Sequence, residues 1–417
     1  MQNTPPAYAK KLYSIISETY ELPADNYNHH QWLKPLKVSV GSHSFHKFNA
    51  LLQTQFLDPS KGSRRKTDVE KLRRHWRVIL LNLSFIMYQR RWLLIPTDRN
   101  YYSNSYLAKR LGLGYRQMKY ITEWLVEHDL VELKIGRSYV GQPSAARIFP
   151  KPQLIAFLWE YFPSVEQPIE APYLLIKKPE DKWDLITRPP DNHPDKTDLA
   201  TINEFLKPHH WACKGPVQLK YKNNVFQGGR LYTPFQNLSD RRIRLRINTL
   251  IDGGPIGEVD FSANHLRLNL AFNGRIDAGD DPYSAISEEA GIGNRQTIRT
   301  VMNIAIGTND EANARKACYT KGLTHEQVTT IIDASLKVFP KLELFKGWGI
   351  YAKSFEGQIL KNVMLEGVRE GIVCLPVHDA VAVPLDRIAW ACDEMRYQWD
   401  KQMDVSGLAR VSTDKPA

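Results

Sequence analysis

The chain has 417 residues, 42% of them hydrophobic, enough for two or three cores of ordinary domain size. No apolar run reaches membrane-spanning length, Met1-Gln-Asn-Thr-Pro-Pro lacks a signal-peptide pattern, and four scattered cysteines argue against a disulfide framework or a zinc site, so a reducing cytoplasm is the expected compartment. The formal net charge of +11 is concentrated: residues 61–147 carry 18 Lys and Arg against 7 Asp and Glu, whereas the rest of the chain carries 38 of each. Such a segment is the electrostatic footprint of nucleic-acid binding.

Residues 1–60 read as an N-terminal extension. From Thr67 to Arg91 the spacing of Leu72, Trp76, Ile79, Leu83, Ile86 and Met87 predicts a long amphipathic helix. Ser103 is expected to cap a short helix, Tyr106 to Leu111, that stops at Gly112-Leu113-Gly114. Tyr115 to His128 follows as a second helix, with Met118, Ile121 and Leu125 inward and Arg116, Gln117 and Lys119 outward. Leu130 to Ile135 and Ala145 to Phe149 read as a hairpin with Arg137 at its tip. Helix, turn, helix and basic hairpin spell a winged helix-turn-helix over residues 61–162. Arg116, Gln117 and Lys119 would then lie at the major groove of duplex DNA, and Arg137 on phosphates. A protein-binding winged helix is the alternative, and the local charge favours DNA. Seven prolines between Pro163 and Pro194 predict a semi-rigid connector over 163–200. Residues 201–417 form the remaining domain.

Within that domain Asp260, in Glu258-Val259-Asp260-Phe261-Ser262, and Asp379, in Val377-His378-Asp379-Ala380-Val381, are each lone carboxylates in short β-prone stretches. Buried carboxylates need a positive partner, and a salt bridge is the plain reading of either one alone. Brought together they would repel, unless divalent cations lie between them as in two-metal phosphoryl transfer. Arg295, Arg299, Asn303 and Gly307 recur every fourth residue and share one helix face, opposite Ile298, Val301, Met302 and Ala305. Two guanidiniums one turn apart suit a triphosphate; a solvated basic face is the bland alternative.

Together with Gly229-Arg230-Leu231 and Gln236-Asn237, these blocks resemble, in this order, the DNA polymerase I family (family A), which includes the single-subunit phage-type RNA polymerases. The resemblance covers Lys214 to Pro384. The glycine–arginine block looks like the family's primer–template block, and Val259-Asp260-Phe261-Ser262 through Leu266-Arg267 looks like motif A. Arg295 to Gly307 looks like motif B; Glu356-Gly357 and Val377-His378-Asp379 look like the late palm block and motif C. The chain is also similar to uncharacterised palm-like proteins of bacterial mobile elements. The fold implied is α/β (α+β), a family A-like palm with reduced fingers behind a mostly helical winged-helix domain.

The activity implied is template-directed nucleotidyl transfer, by a DNA polymerase or primase-like enzyme replicating a mobile element. The resemblance further implies two Mg²⁺ ions, with Mn²⁺ able to substitute, on Asp260, Asp379 and the carbonyl of Phe261. Arg299, with Arg295 and Asn303, would hold the nucleoside triphosphate, and His265 would face its sugar. Arg230, Gln236 and His378 would touch the primer–template DNA. Other replication proteins are expected partners, and a membrane is not. The chain departs from the family at four places: His265 replaces glutamate, Arg299 lysine, Ile306 an aromatic residue, and Ala380 the acidic residue of the DNA branch. Two other functions stay open: a DNA-binding replication or transcription regulator with an inactive palm, and a single-subunit RNA polymerase.

Overall fold

The computed structural model of the protein describes residues 7–25, 30–38, 66–135, 146–162, 164–177, 186–187, 192–222, 224–239 and 243–416. Contacts along the chain separate two units. The first comprises residues 1–169, 210–216 and 237–255; the second comprises 170–209, 217–236 and 256–417.

The first unit opens with α1 (Ala7–Glu18) and the short strands β1 (His30–Gln31) and β2 (Lys37–Val38). Its centre is α2 (Lys66–Gln89), whose expected stripe from Leu72 to Met87 is buried, with Trp76 edge-on to Trp124 at 5.3 Å between ring centroids. After β3 (Trp92–Ile95) come α3 (Arg99–Asn104) and α4 (Tyr106–Leu111). Ser105, not Ser103, caps α4 by accepting from the amide of Ala108. The reason is local: residues 99–104 are already helical, which leaves Ser105 as the extended residue a cap requires. Gly112 ends α4 in the left-handed region, φ 64°, and leads to α5 (Tyr115–Glu127), which buries Met118, Ile121 and Leu125. Strands β4 (Val131–Lys134) and β5 (Ala146–Pro150) complete an antiparallel sheet in the order β3-β5-β4, with β1 parallel to β3 at its edge. The hairpin tip, Arg137 included, lies outside the described residues. α6 (Pro152–Tyr161) and β6 (Val165–Glu166), which pairs with β2, follow.

In the second unit, the stretch expected to be a connector carries β7 (Leu174–Lys177), β8 (Ile186–Thr187) and the start of α7 (Pro194–Leu206). Pro172 stands just before β7 and Pro194 opens α7, positions where a missing N–H costs little. Strands β9 (Gln218–Lys222) and β10 (Asn224–Tyr232) extend this sheet to the order β10-β9-β7-β8.

After β11 (Leu250–Ile251), β12 (Gly254–Phe261) begins a second sheet. Then come α8 (Asn264–Gly274), α9 (Pro282–Ala290), α10 (Arg295–Gly307), α11 (Glu311–Tyr319), α12 (His325–Val338) and α13 (Gly349–Glu370). The hairpin β13 (Leu375–Val377) and β14 (Ala380–Pro384), α14 (Ile388–Met403) and β15 (Val411–Asp414) finish the unit. β12 is flanked by β14 and β15, both antiparallel to it.

Two devices fix α13, the helix that shapes the site. A Cβ on Gly357 would lie 1.6 Å from the carbonyl oxygen of Gly229, so helix and strand approach backbone to backbone. One turn further on, Lys361 donates to Asp195 and Asp198 of α7, both at 2.6 Å, and Asp195 also accepts from the Tyr221 hydroxyl of β9 at 2.6 Å. The Lys361 and Asp195 side chains are almost fully buried, so the pairing ties α7, β9 and α13 together.

Candidate active site

Strand periodicity positions the first carboxylate. Along β12, Val259 and Phe261 are buried while Asp260 is open to solvent, and Asp260 stands opposite Ala380 in the ladder with β14. Asp379 immediately precedes Ala380, in the two-residue turn closed by the pair Val377–Ala380. The structure therefore brings the two expected aspartates side by side. Strain flanks both: Ala263, which opens α8, and His378, which opens the turn, have left-handed φ values of 51° and 59°. A left-handed non-glycine residue costs roughly 1–2 kcal/mol.

Asp260 is accessible to solvent yet ringed by protein, as a group on the floor of a cleft is. That surrounding protein, then the charges of Asp379 and of Glu258 on the same strand, push its carboxyl up to about 7, with the Arg299 guanidinium opposing. Burial and then the charge of Glu356 likewise raise Asp379. Among the described residues neither aspartate has an ion-pair partner.

A third carboxylate is treated oppositely. Glu356 of α13 is fully buried. His265 Nε2 lies 2.8 Å from its Oε1, Asn264 Nδ2 donates to that same oxygen at 3.1 Å, and Arg230 grips Oε2 through Nε at 3.2 Å and through Nη2. Trp399 fixes Asn264 in turn, donating from Nε1 at 3.0 Å. Burial works to raise the Glu356 carboxyl, but the hydrogen bond and charge of His265 and the charge of Arg230 outweigh it and hold it down to about 2. Arg230 and His265, expected at the primer–template and the sugar, are thus joined through one buried carboxylate. In the sequence Glu356 stands out only as part of the Glu356-Gly357 block; nothing in its neighbours along the chain signals that it is the hub.

α10 forms as the four-residue recurrence requires. Ile298, Val301, Met302, Ala305 and also Ile306 are buried, and Arg295, Arg299 and Asn303 are exposed. The two arginines differ. Arg295 donates to both oxygens of Asp281, at 2.6 and 3.0 Å, lies over the Tyr283 ring, and helps hold the Asp281 carboxyl down to about 2. Arg299 has no ion-pair partner among the described residues and is the cation within electrostatic reach of Asp260. Asn303 accepts from the Tyr283 hydroxyl at 3.4 Å. Ile306, buried in the helix's apolar face, offers no surface to a base. Gln236 is buried as well, and its Oε1 has no hydrogen-bond partner among the described residues. His378 is exposed at the turn, and Phe261 pairs with Val411 of β15.

No protein family and no curated protein matches the sequence. Among solved structures, the chain is similar to the POL domain of Pol1 from M. smegmatis, solved in complex with DNA primer-template and dNTP. The identity is 13%, the TM-score is 0.30, and the match covers 53% of this chain and 51% of that one. The chain thus spans about half of that neighbour. Among the described residues, no three or more His, Cys, Asp or Glu side chains cluster as metal ligands, and no helix is long and apolar enough to cross a membrane.

In the first unit, Arg116 and Lys119 are exposed on α5 and Gln117 is half-buried. Lys119 pairs with Glu123 at 3.6 Å, one helical turn on.

Proposed function

We propose that the second unit is a template-directed nucleotidyltransferase, with DNA synthesis as its favoured activity, and that the first unit binds duplex DNA as a winged helix. One observation carries the enzymatic reading. Asp260 and Asp379 lie side by side with no cationic side chain among the described residues bonded to either, while Glu356 nearby is held by Arg230 and His265. A fold that can supply Arg and His to one carboxylate, and withholds them from two others, leaves those two for a cation from solution.

The donor set fits a hard divalent ion. Mg²⁺ is commonly held by one or two carboxylates, with water and substrate phosphates completing its shell, so a third acidic ligand is not needed. Asp260, Asp379 and the carbonyl of Phe261 would hold it, and Mn²⁺ would substitute. What the bound metal brings is neutralisation of charge on the attacking and leaving oxygens of phosphoryl transfer. The chain's own residues do the positioning. Arg299 meets the triphosphate, Arg295 and Tyr283 brace the helix that presents it, and Asn303 lines the same face. The His265–Glu356–Arg230 link orders the wall next to Asp379, and His378 stands at the turn beside the primer end.

The test is extension of a labelled primer–template with Mg²⁺, offering deoxyribonucleotides and ribonucleotides in separate reactions. Incorporation is expected, and Asp260→Ala or Asp379→Ala should abolish it without unfolding the protein. A well-folded wild-type protein that incorporates neither class, with Mg²⁺ or Mn²⁺, would replace this reading with that of a DNA-binding regulator. Preference for ribonucleotides would mark an RNA polymerase.

For the first unit the supporting features are the element order helix, strand, three helices and hairpin, and a charge excess confined to that segment. Replacing Arg116 and Lys119 with alanine should weaken duplex binding by about 1–3 kcal/mol if either reads a base edge. An unchanged affinity and salt dependence would make the unit a protein-binding module.

A further inference from the structure

Beyond Arg230 the second unit displays a cluster of exposed cations. β9 alternates, with Leu219 and Tyr221 buried and Lys220 and Lys222 exposed. Across the ladder Arg230 stands opposite Lys220, and Asn224 opposite Lys222. Like charges facing each other in an antiparallel pair are destabilising, typically by a few tenths to about 1 kcal/mol. Lys353 is exposed on α13 one turn before Gly357, whose backbone touches Gly229, so it comes down beside the same ladder. The protein surrounding this solvent-open side chain, then the positive charge of Arg230 with that of Lys222, push its ammonium pKa down, with Glu356 opposing. Lys222 and Lys353 have no ion-pair partner among the described residues. Arg230 in turn lies within electrostatic reach of Asp379, so the row of cations leads to the carboxylate pair.

Clustered cations of this kind are stabilised by a polyanion. Lys220 and Lys222, two residues apart on a strand, stand about 7 Å apart, a spacing for successive phosphates rather than one. Lysine suits a backbone contact: it is a mobile point charge that reads no base. We propose that Lys222 and Lys353, with Lys220 beside them, form a track for the phosphodiester backbone of the duplex entering the Asp260–Asp379 site. This rests on the nucleotidyltransferase reading and adds to it residues absent from the blocks that suggested that reading.

The experiment is lysine footprinting of the full chain with an amine-acetylating reagent and mass spectrometry, with and without a primed duplex in Mg²⁺. Modification of Lys222 and Lys353 should fall several-fold on adding duplex, while Lys316 and Lys321 stay as reactive as before. In parallel, the double variant Lys222→Glu/Lys353→Glu should raise KM for primed duplex about tenfold, and KM for nucleotide should not follow. The slope of log KM against log salt should fall by about 2, one for each lost phosphate contact. If the chain extends primers while these lysines stay unprotected and KM for duplex is unchanged, the track is overturned and the enzymatic reading stands. Neither extension nor protection overturns both. Protection confined to lysines of the first unit also overturns the track, because the duplex then bypasses the second unit.

Discussion

Two acidic centres on the same unit show opposite electrostatics. Glu356 is buried without access to water, and Arg230, His265 and Asn264 saturate its oxygens. Asp260 on β12 and Asp379 in the neighbouring turn lie side by side, repel, and hold protons more tightly than ordinary aspartates do. The difference teaches how to tell a structural carboxylate from a working one. The first is stabilised by the fold, and removing it should cost stability; the second is tolerated by the fold, and neutralising it should restore stability.

The largest expected effect comes from destroying the frame that holds the contrast. Gly357→Ala places a methyl group inside contact distance of the Gly229 backbone, which has no room to yield. Loss of more than about 4 kcal/mol, or failure of the second unit to fold, is expected in denaturant titration. A variant with wild-type stability would mean that α13 and β10 can separate without penalty.

Next comes the buried centre itself. His265→Glu, a swap toward the residue usual in family A, sets a carboxylate against Glu356 and should destabilise by about 3–5 kcal/mol. Adding Glu356→Gln should recover most of that loss, a coupling measurable in a double-mutant cycle. The pH sign is definite. Glu356 has a folded pKa of about 2, below its ordinary value, so its contribution is full above about pH 4.5 and disappears as pH falls from there toward 2. If the double variant is no better than the single one, the two side chains do not share their charge. Sugar preference is then best compared in the double variant, where folding is not in question.

The smallest and most telling effect has the reverse sign. Asp260 has a raised folded pKa, up to about 7, so without metal its ionisation destabilises the protein as pH rises from the ordinary aspartate value, about 4, to 7. Asp260→Asn should therefore increase the Tm of the metal-free protein at neutral pH, and the gain should vanish near pH 4. Mg²⁺ should raise the Tm of the wild type and not of the variant. A variant less stable than the wild type at pH 7 would make Asp260 a structural residue like Glu356.

What was legible in the sequence was what depends on neighbours along the chain. The stripe of α2, the two faces of α10 and the strand context of Asp260 and Asp379 all follow from local periodicity. What was not legible depends on partners far away. Glu356 meets Arg230 126 positions earlier and Asn264 92 positions earlier, separations that no spacing rule spans. Prolines misled in the opposite way: read together they suggested a connector, although Pro172 and Pro194 mark the edges of ordered elements. Arg295 and Arg299 look equivalent on a helical wheel. Asp281, the cap of α9, separates their roles by pairing with only one of them.

The strand that carries Asp260 has a second partner that arrives late. β15 pairs Val411 with Phe261 and Ser412 with Asp260, roughly 150 residues downstream. During synthesis, β12 must wait with an open edge until that segment emerges, which makes this edge the exposed, aggregation-prone surface of a nascent or truncated chain. Cleavage before residue 411 would spare both aspartates while unzipping the side of β12 that faces away from β14. Proteolytic trimming at that end is thus a route to inactivation that leaves both aspartates of the site in place.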